Sequence, residues 1–307
     1  MSQPQIITDK KLNWVNISQF DAEDYDYLIK LYDFNPHDLR ACYPPLERPQ
    51  VRVYPEYTFL TLHFPVLNEE TGRIGAEEWD FFIGEKFCIS INEGKNDAIE
   101  ELFVQCEREE MVRKVQFHQG SIGLTYEILN RLFLGIFPLL NRMSLNIDRI
   151  DEGLFDENNE SMVTSLLGVK QNITEFRKIM QGHKRVLEKL MEEPGHLKMG
   201  TRTAHVYHRL IEYTKEIWDS LLHNEQTIDA LHNAHTSLIT VRANQAMRVL
   251  TAFAVIIFPL TLIATLFSMS VRYIPFADHP YAFWYIAGAI GAIGIAMWVY
   301  FRKKHWL

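Results

Sequence analysis

The chain has 307 residues, 47% of them apolar, and carries 31 Lys and Arg against 39 Asp and Glu, for a net charge of −8. That length buries a sizeable core and accommodates two or three structural units. The acidic balance, with no Lys/Arg cluster on one face, excludes a nucleic-acid partner.

Mean hydropathy is only −0.12 because charged residues fill the chain before Arg248, whereas the long apolar sequence lies beyond it. The three cysteines, Cys42, Cys88 and Cys106, are odd in number and widely spaced in apolar or helical context. They exclude a disulfide framework or zinc knuckle and fit a reducing compartment as small core residues.

Met1 to Asn16 has no basic start followed by an apolar run, so the N-terminal part is expected to stay in the cytosol. Trp14–Asn16, Tyr57–Val66, Trp79–Phe82 and Lys86–Asn92 alternate and are rich in aromatic and β-branched residues, which predicts strands. Helical stretches near Ala22–Tyr32 and Asp97–Cys106 complete a small cytosolic α/β domain over residues 1–120, so the fold class is α+β followed by long helices.

Over residues 121–247 the apolar spacing becomes helical, with elements predicted at Ser121–Phe155, Ser161–Glu193 and Thr201–Phe267. Pro194-Gly195 is the strong break and reads as a hairpin tip. Ile217, Leu221, Asn224, Ile228, Leu231, His235 and Leu238 follow a 4-3-4-3 spacing, a coiled-coil-like seam expected to pack on copies of itself around an axis. His235, with His232 nearby, is a weak candidate for a zinc ligand or proton-sensitive gate; a polar interruption of the seam is the plainer reading. The acidic run Asp148, Asp151, Glu152, Asp156, Glu157 and Glu160 reads as a solvated helix face, with Asp151 and Glu152 its weak candidates for a divalent-ion site.

The last part, 248–307, predicts a two-helix transmembrane hairpin. Residues 249–271 and 280–301 carry no formal charge, and each run is long enough to cross ~30 Å of hydrocarbon. Arg242 and Arg248 before the first run, and Arg302, Lys303 and Lys304 after the second, place both ends in the cytosol by their positive charge. Trp284, Tyr285, Trp298, Tyr300 and Trp306 form the expected aromatic belt. Gly288, Gly291 and Gly294 make a small-residue ridge suited to close packing on the first span, and Pro259 marks a possible kink in that span. No nucleophile elbow, phosphate-cradling glycine loop or HExxH appears, so no enzyme and no cofactor are expected.

RVLTAFAVIIFPLTLIATLFSMS (Arg248–Ser270), YFRKKHWL (Tyr300–Leu307), the YTFLTLHFPV and WDFFIGEKFCISIN strands and NIDRIDEGLFDE (Asn146–Glu157) together resemble the CorA-type divalent-cation transporters, including their ZntB-like zinc-transporting relatives. The resemblance implies a funnel-shaped homopentamer in a bacterial inner membrane, partnered only by its own copies, the bilayer and hydrated ions. Its long stalk helix would continue into a pore-lining first span. Where the family has Gly-Met-Asn, or Gly-Ile-Asn in zinc transporters, this chain has Ser268-Met269-Ser270. Where the following loop usually carries two Glu, it has Arg272 and Phe276, leaving Asp278 as the loop's carboxylate. Stepping along one face gives the expected ion pathway: Asn244, Met247, Leu250 or Thr251, Ala254, Phe258, Thr261, Thr265 and Ser268, with Met269 and Ser270 at its end. The implied function is passage of a divalent cation, magnesium, cobalt, nickel or zinc, with altered selectivity. The alternative is a non-conducting homologue with a structural or regulatory membrane role.

Overall fold

A computed structural model of the protein describes residues 4–9, 12–44, 46–94, 96–153, 160–193, 195–197, 199–269 and 281–304, with backbone only at 160, 161 and 282. The chain forms two compact units, Met1–Leu231 and His232–Leu307.

The first unit is built on a six-stranded sheet: β1 (Gln5–Thr8), β2 (Asn13–Ser18), β3 (Gln50–Val53), β4 (Tyr57–Asn68), β5 (Arg73–Gly84) and β6 (Phe87–Asn92), in spatial order β1-β2-β6-β5-β4-β3. β2 and β6 pair in parallel and the other neighbours are antiparallel. The four strands read from the sequence are all present. β1 and β3, which that reading lacked, are four-residue edge strands, too short for an alternation to register. β5 begins at Arg73 rather than Trp79 because a tight turn returns it onto β4. There Asn68 accepts from the backbone of Glu70 and Thr71, and Gly72 supplies a left-handed φ of +65°.

Strand periodicity divides the side chains between two buried faces. Leu60, Leu62, Phe64, Trp79, Phe81 and Ile83 point to one core, and Tyr57, Phe59, Phe82, Ile89 and Ile91 to the other. The second face is covered by α1 (Ala22–Leu31) and α2 (Pro36–Ala41), which contribute Leu28 and Leu39. Their starts are set locally, by a capping box at Asp21 and by Asn35 capping a helix that has Pro at its first position.

On the first face lie α3 (Asp97–Arg108), α4 (Glu110–Phe117), α5 (Gly120–Leu134), α6 (Ile136–Gly153), α7 (Glu160–Met180), α8 (His183–Glu192) and the early turns of α9 (Thr201–Ser268). Two helices expected to be continuous are divided. Pro138 has no N–H for the carbonyl of Leu134, and the break falls at Gly135, between α5 and α6. The second break leaves Gln181 and Gly182 between α7 and α8, where a Cβ on Gly182 would come within 2.8 Å of Pro49. Residues 120–153 are apolar enough to cross a membrane, yet 44% of their most apolar window is buried in the fold, against 6% for α9 and none for the last helix. They are core helices.

The seam on α9 corrects an expectation. Ile217, Leu221, Ile228 and Leu231 are buried against this chain's own core rather than against copies of themselves. Ser144 on α6 donates to Asn224 at 3.2 Å, Lys170 on α7 pairs with Asp229 at 2.7 Å, and Arg177 pairs with Glu225. A 3.5-residue period specifies a stripe to be buried but not whose surface buries it.

In the second unit α9 continues unbroken to Ser268, and α10 spans Ala282–Lys303. Ala252 is buried and Ile256, Pro259, Leu260 and Ile263 are half-buried, a stripe at helical spacing. On α10 the matching stripe is Ile286, Ile290, Gly294, Met297 and Phe301. Of the glycine ridge only Gly294 meets α9, where a Cβ would lie 3.4 Å from Leu260; Gly288 and Gly291 face open space.

Candidate functional site

The residues expected to line a pathway fall on one side of α9. Relative to the covered stripe Ala252–Ile263, the positions Met247, Thr251, Ala254, Phe258, Thr261, Thr265 and Ser268 lie on the opposite side of the helix at roughly 100° per residue. All but the half-buried Ala254 are exposed, as are Asn244, Leu250 and Met269, and Phe258 is 75% exposed. From Asn244 to Ser268 the face runs about 36 Å at the usual rise, enough to cross the ~30 Å hydrocarbon layer.

Its chemistry alternates. Thr251 donates to the carbonyl of Met247 at 2.7 Å, Thr261 to that of Ile257 at 2.6 Å and Thr265 to that of Leu262 at 2.9 Å. Each hydroxyl proton is thus used within the helix, which leaves the oxygen lone pairs as the polar feature of the side chain. Such oxygens accept from the water shell of a cation and offer no donor to an anion. Between them Ala254 and Phe258 present only carbon. No formal charge lies between Arg248 and Met269.

Ser270, Arg272, Phe276 and Asp278, the expected mouth, lie outside the described residues, as do Asp156, Glu157 and Trp306. Asp151 and Glu152 are exposed at the end of α6, and His235 is half-buried on α9. Among the described residues no group of three His, Cys, Asp or Glu is placed to hold a metal ion. At the cytosolic-side end of α10, as read from sequence, the Arg302 guanidinium stacks over Trp298 at 5.2 Å and the Lys304 ammonium over Tyr300 at 5.4 Å.

The sequence reading missed a polar layer in the first unit. The β4–β5 register places Thr61 opposite Asp80 and His63 opposite Glu78. Thr61 donates to Asp80 at 2.6 Å, and His63 Nε2 lies 3.0 Å from Glu78, which also accepts from the backbone of Glu47. Burial, reinforced by the Glu78 charge, holds the Asp80 carboxyl well above the usual carboxylate range. The alternation of polar residues at Thr61, His63, Glu78 and Asp80 is the signal that pairs them, but it becomes legible only once the strand register is known.

The sequence profile of the CorA-like Mg2+ transporter proteins matches residues 9–303. The chain belongs to that family. Members are divalent-cation transporters, not enzymes, and the cation is their cargo rather than a cofactor. The cobalt/magnesium transport protein CorA of Thermotoga maritima is 23% identical over 96% of this chain and 83% of its own length. That of Methanocaldococcus jannaschii is 21% identical over 97% and 92%. In fold, the complete structure of the CorA magnesium transporter from Methanocaldococcus jannaschii superposes with a TM-score of 0.87 at 19% identity, covering 98% of this chain and 93% of that one. The full-length CmaX protein gives 0.75 at 18% identity, covering 98% and 91%. These likenesses establish an N-terminal α/β domain, a long helix and a C-terminal helix as a CorA architecture.

Proposed function

We propose that the chain forms a divalent-cation pathway on the axis of a homopentamer, lined by the Asn244–Ser268 face of α9 from each copy. α9 and α10 form a transmembrane hairpin in the cytoplasmic membrane, with both termini in the cytosol. The observation that carries this reading is that the face is uncharged, accepts but does not donate hydrogen bonds at Thr251, Thr261 and Thr265, and lies opposite the stripe that α10 covers.

Neutral oxygens do not replace the tightly held water of a small divalent cation, so the ion travels hydrated. The Phe258 ring is the narrow apolar point, where the pathway closes by losing its water. At the outer end, Ser268, Met269 and Ser270 stand in place of the family's signature, and five copies of Arg272, with only Asp278 as counterweight, lower the local cation concentration. Selectivity therefore differs from that of relatives with an amide ring and acidic loop. Two relatives are named cobalt/magnesium transport proteins, so magnesium and cobalt are the first ions to test.

Purified protein in liposomes is expected to pass at least one of magnesium, cobalt, nickel and zinc faster than empty vesicles. Absence of flux for all four sinks the reading in favour of a non-conducting homologue. The triple variant S268G/S270N/R272E is expected to raise magnesium flux; no change would place selectivity elsewhere than the mouth.

A further inference from the structure

We propose that the first unit binds an oligophosphate anion in the groove between β3 and the α7–α8 junction. This groove encloses about 1200 Å³, above the ~300–1,000 Å³ of common small-molecule pockets. Five cations line it, Arg48, Arg52, Lys178, Arg185 and Lys189, against two carboxylates, Glu47 and Glu175, an excess of three positive charges in a chain of net charge −8.

Local pairing accounts for only part of this excess. Arg52 is bonded to Asp38, Lys178 lies 3.6 Å from Glu175, and Lys189 reaches the carbonyl of Val51 at 3.4 Å. Arg48 and Arg185 are exposed and have no ion pair among the described residues. The walls are held in register where Gly182 packs on Pro49, and the floor is apolar, with Val51, Ile179 and Val186 buried. Cations gathered over an apolar floor repel one another, and a multiply charged anion relieves that repulsion. Guanidinium groups match phosphate oxygens with paired N–H donors. A chain of linked phosphates carries enough charge and length to engage several such groups at once. Inorganic tripolyphosphate and the triphosphate of a nucleotide share this chemistry.

The test is isothermal titration of the full-length protein in detergent with metal-free tripolyphosphate and metal-free ATP, in the presence of a chelator. Both are expected to bind with similar affinity, which weakens as salt rises. The double variant R48E/R185E is expected to weaken both at least tenfold with an unchanged melting temperature, and R48K/R185K to lose less. Lys30→Glu, an exposed charge reversal outside the groove, is expected to leave binding unaltered. The proposal is overturned if neither ligand binds, if ATP binds and tripolyphosphate does not, if R48E/R185E binds as the parent does, or if Lys30→Glu weakens binding equally.

Discussion

His183 opens α8 fully buried, its imidazole packed edge-on against Phe64 and Phe133 at ring-centre distances of 5.4 and 5.6 Å. Among the described residues neither ring nitrogen makes a hydrogen bond of good geometry, although backbone groups of Met180, His63 and Ile179 lie near enough to favour the charged form slightly. Burial, with a smaller contribution from His63, pushes its pKa down to about 4, against ~6.5 in an unfolded chain. Between those values the unfolded chain takes up a proton that the folded chain refuses, so stability falls as pH drops from about 6.5 towards 4. His183→Phe keeps the aromatic packing and deletes two poorly bonded nitrogens. It is expected to stabilise the protein at pH 7.5 by about 1–2 kcal/mol and to flatten the decline between pH 6.5 and 4. Thermal melts at the two ends of that window check it, and a lower melting temperature at pH 7.5 would refute it.

The cysteines behave as the composition implied. Burial pushes the Cys88 thiol up to about 12 and Cys106 up to about 11, and holds Cys42 well above the usual thiol range, with a smaller contribution from neighbouring Asp80. Thiolate is the reactive form, so native protein at pH 7 is expected to resist alkylation at all three, and denatured protein to accept three adducts by intact mass. An adduct on the native chain would contradict the burial.

Among the elements, α10 shows why a small-residue pattern is ambiguous. The spacing of Gly288, Gly291 and Gly294 predicts one ridge, but three-residue steps drift around a helix of 3.6 residues per turn, and only Gly294 joins the stripe that meets α9. Gly294→Leu is expected to cost about 1–3 kcal/mol by overpacking against Leu260, whereas Gly288→Leu, with no neighbour within 4 Å, leaves melting in detergent unchanged. Equal effects would show that the contact is misassigned.

The α9 seam yields a second test at this scale. Ile228→Ala is expected to destabilise the first unit by about 2–5 kcal/mol. Because Ile228 packs within its own chain, the loss should not vary with protein concentration. A loss that shrinks on concentrating the protein would return the seam to an intersubunit role.

For the whole molecule, the decisive contrast lies between the two parts of α9. Its turns up to Leu231 are covered by α5, α6 and α7, yet residues 239–251 are exposed throughout and include Ile239, Val241, Met247 and Leu250. The proposed homopentamer would cover such apolar surface with its own copies. In that assembly Phe258→Ala replaces the largest apolar ring on the proposed pathway with a wider one. It is expected to raise cation flux in liposomes severalfold, and unchanged flux would remove Phe258 from the pathway.

Sequence alone determined what depends on local composition. Long uncharged runs, strand alternation around Tyr57–Val66 and Lys86–Asn92, an unbroken α9 and three inert cysteines each follow from a chain segment and its solvent, because burial of apolar groups and backbone satisfaction are settled within a few turns or one strand. Tertiary structure decided which surface meets which. It assigned the Ile217–Leu231 seam to α6 and α7, chose Gly294 from its ridge, made residues 120–153 core rather than membrane, and brought Thr61, His63, Glu78 and Asp80 into one layer. A periodic stripe encodes the need for a partner, whereas the partner's identity rests on strand register and on contacts between residues far apart in the chain.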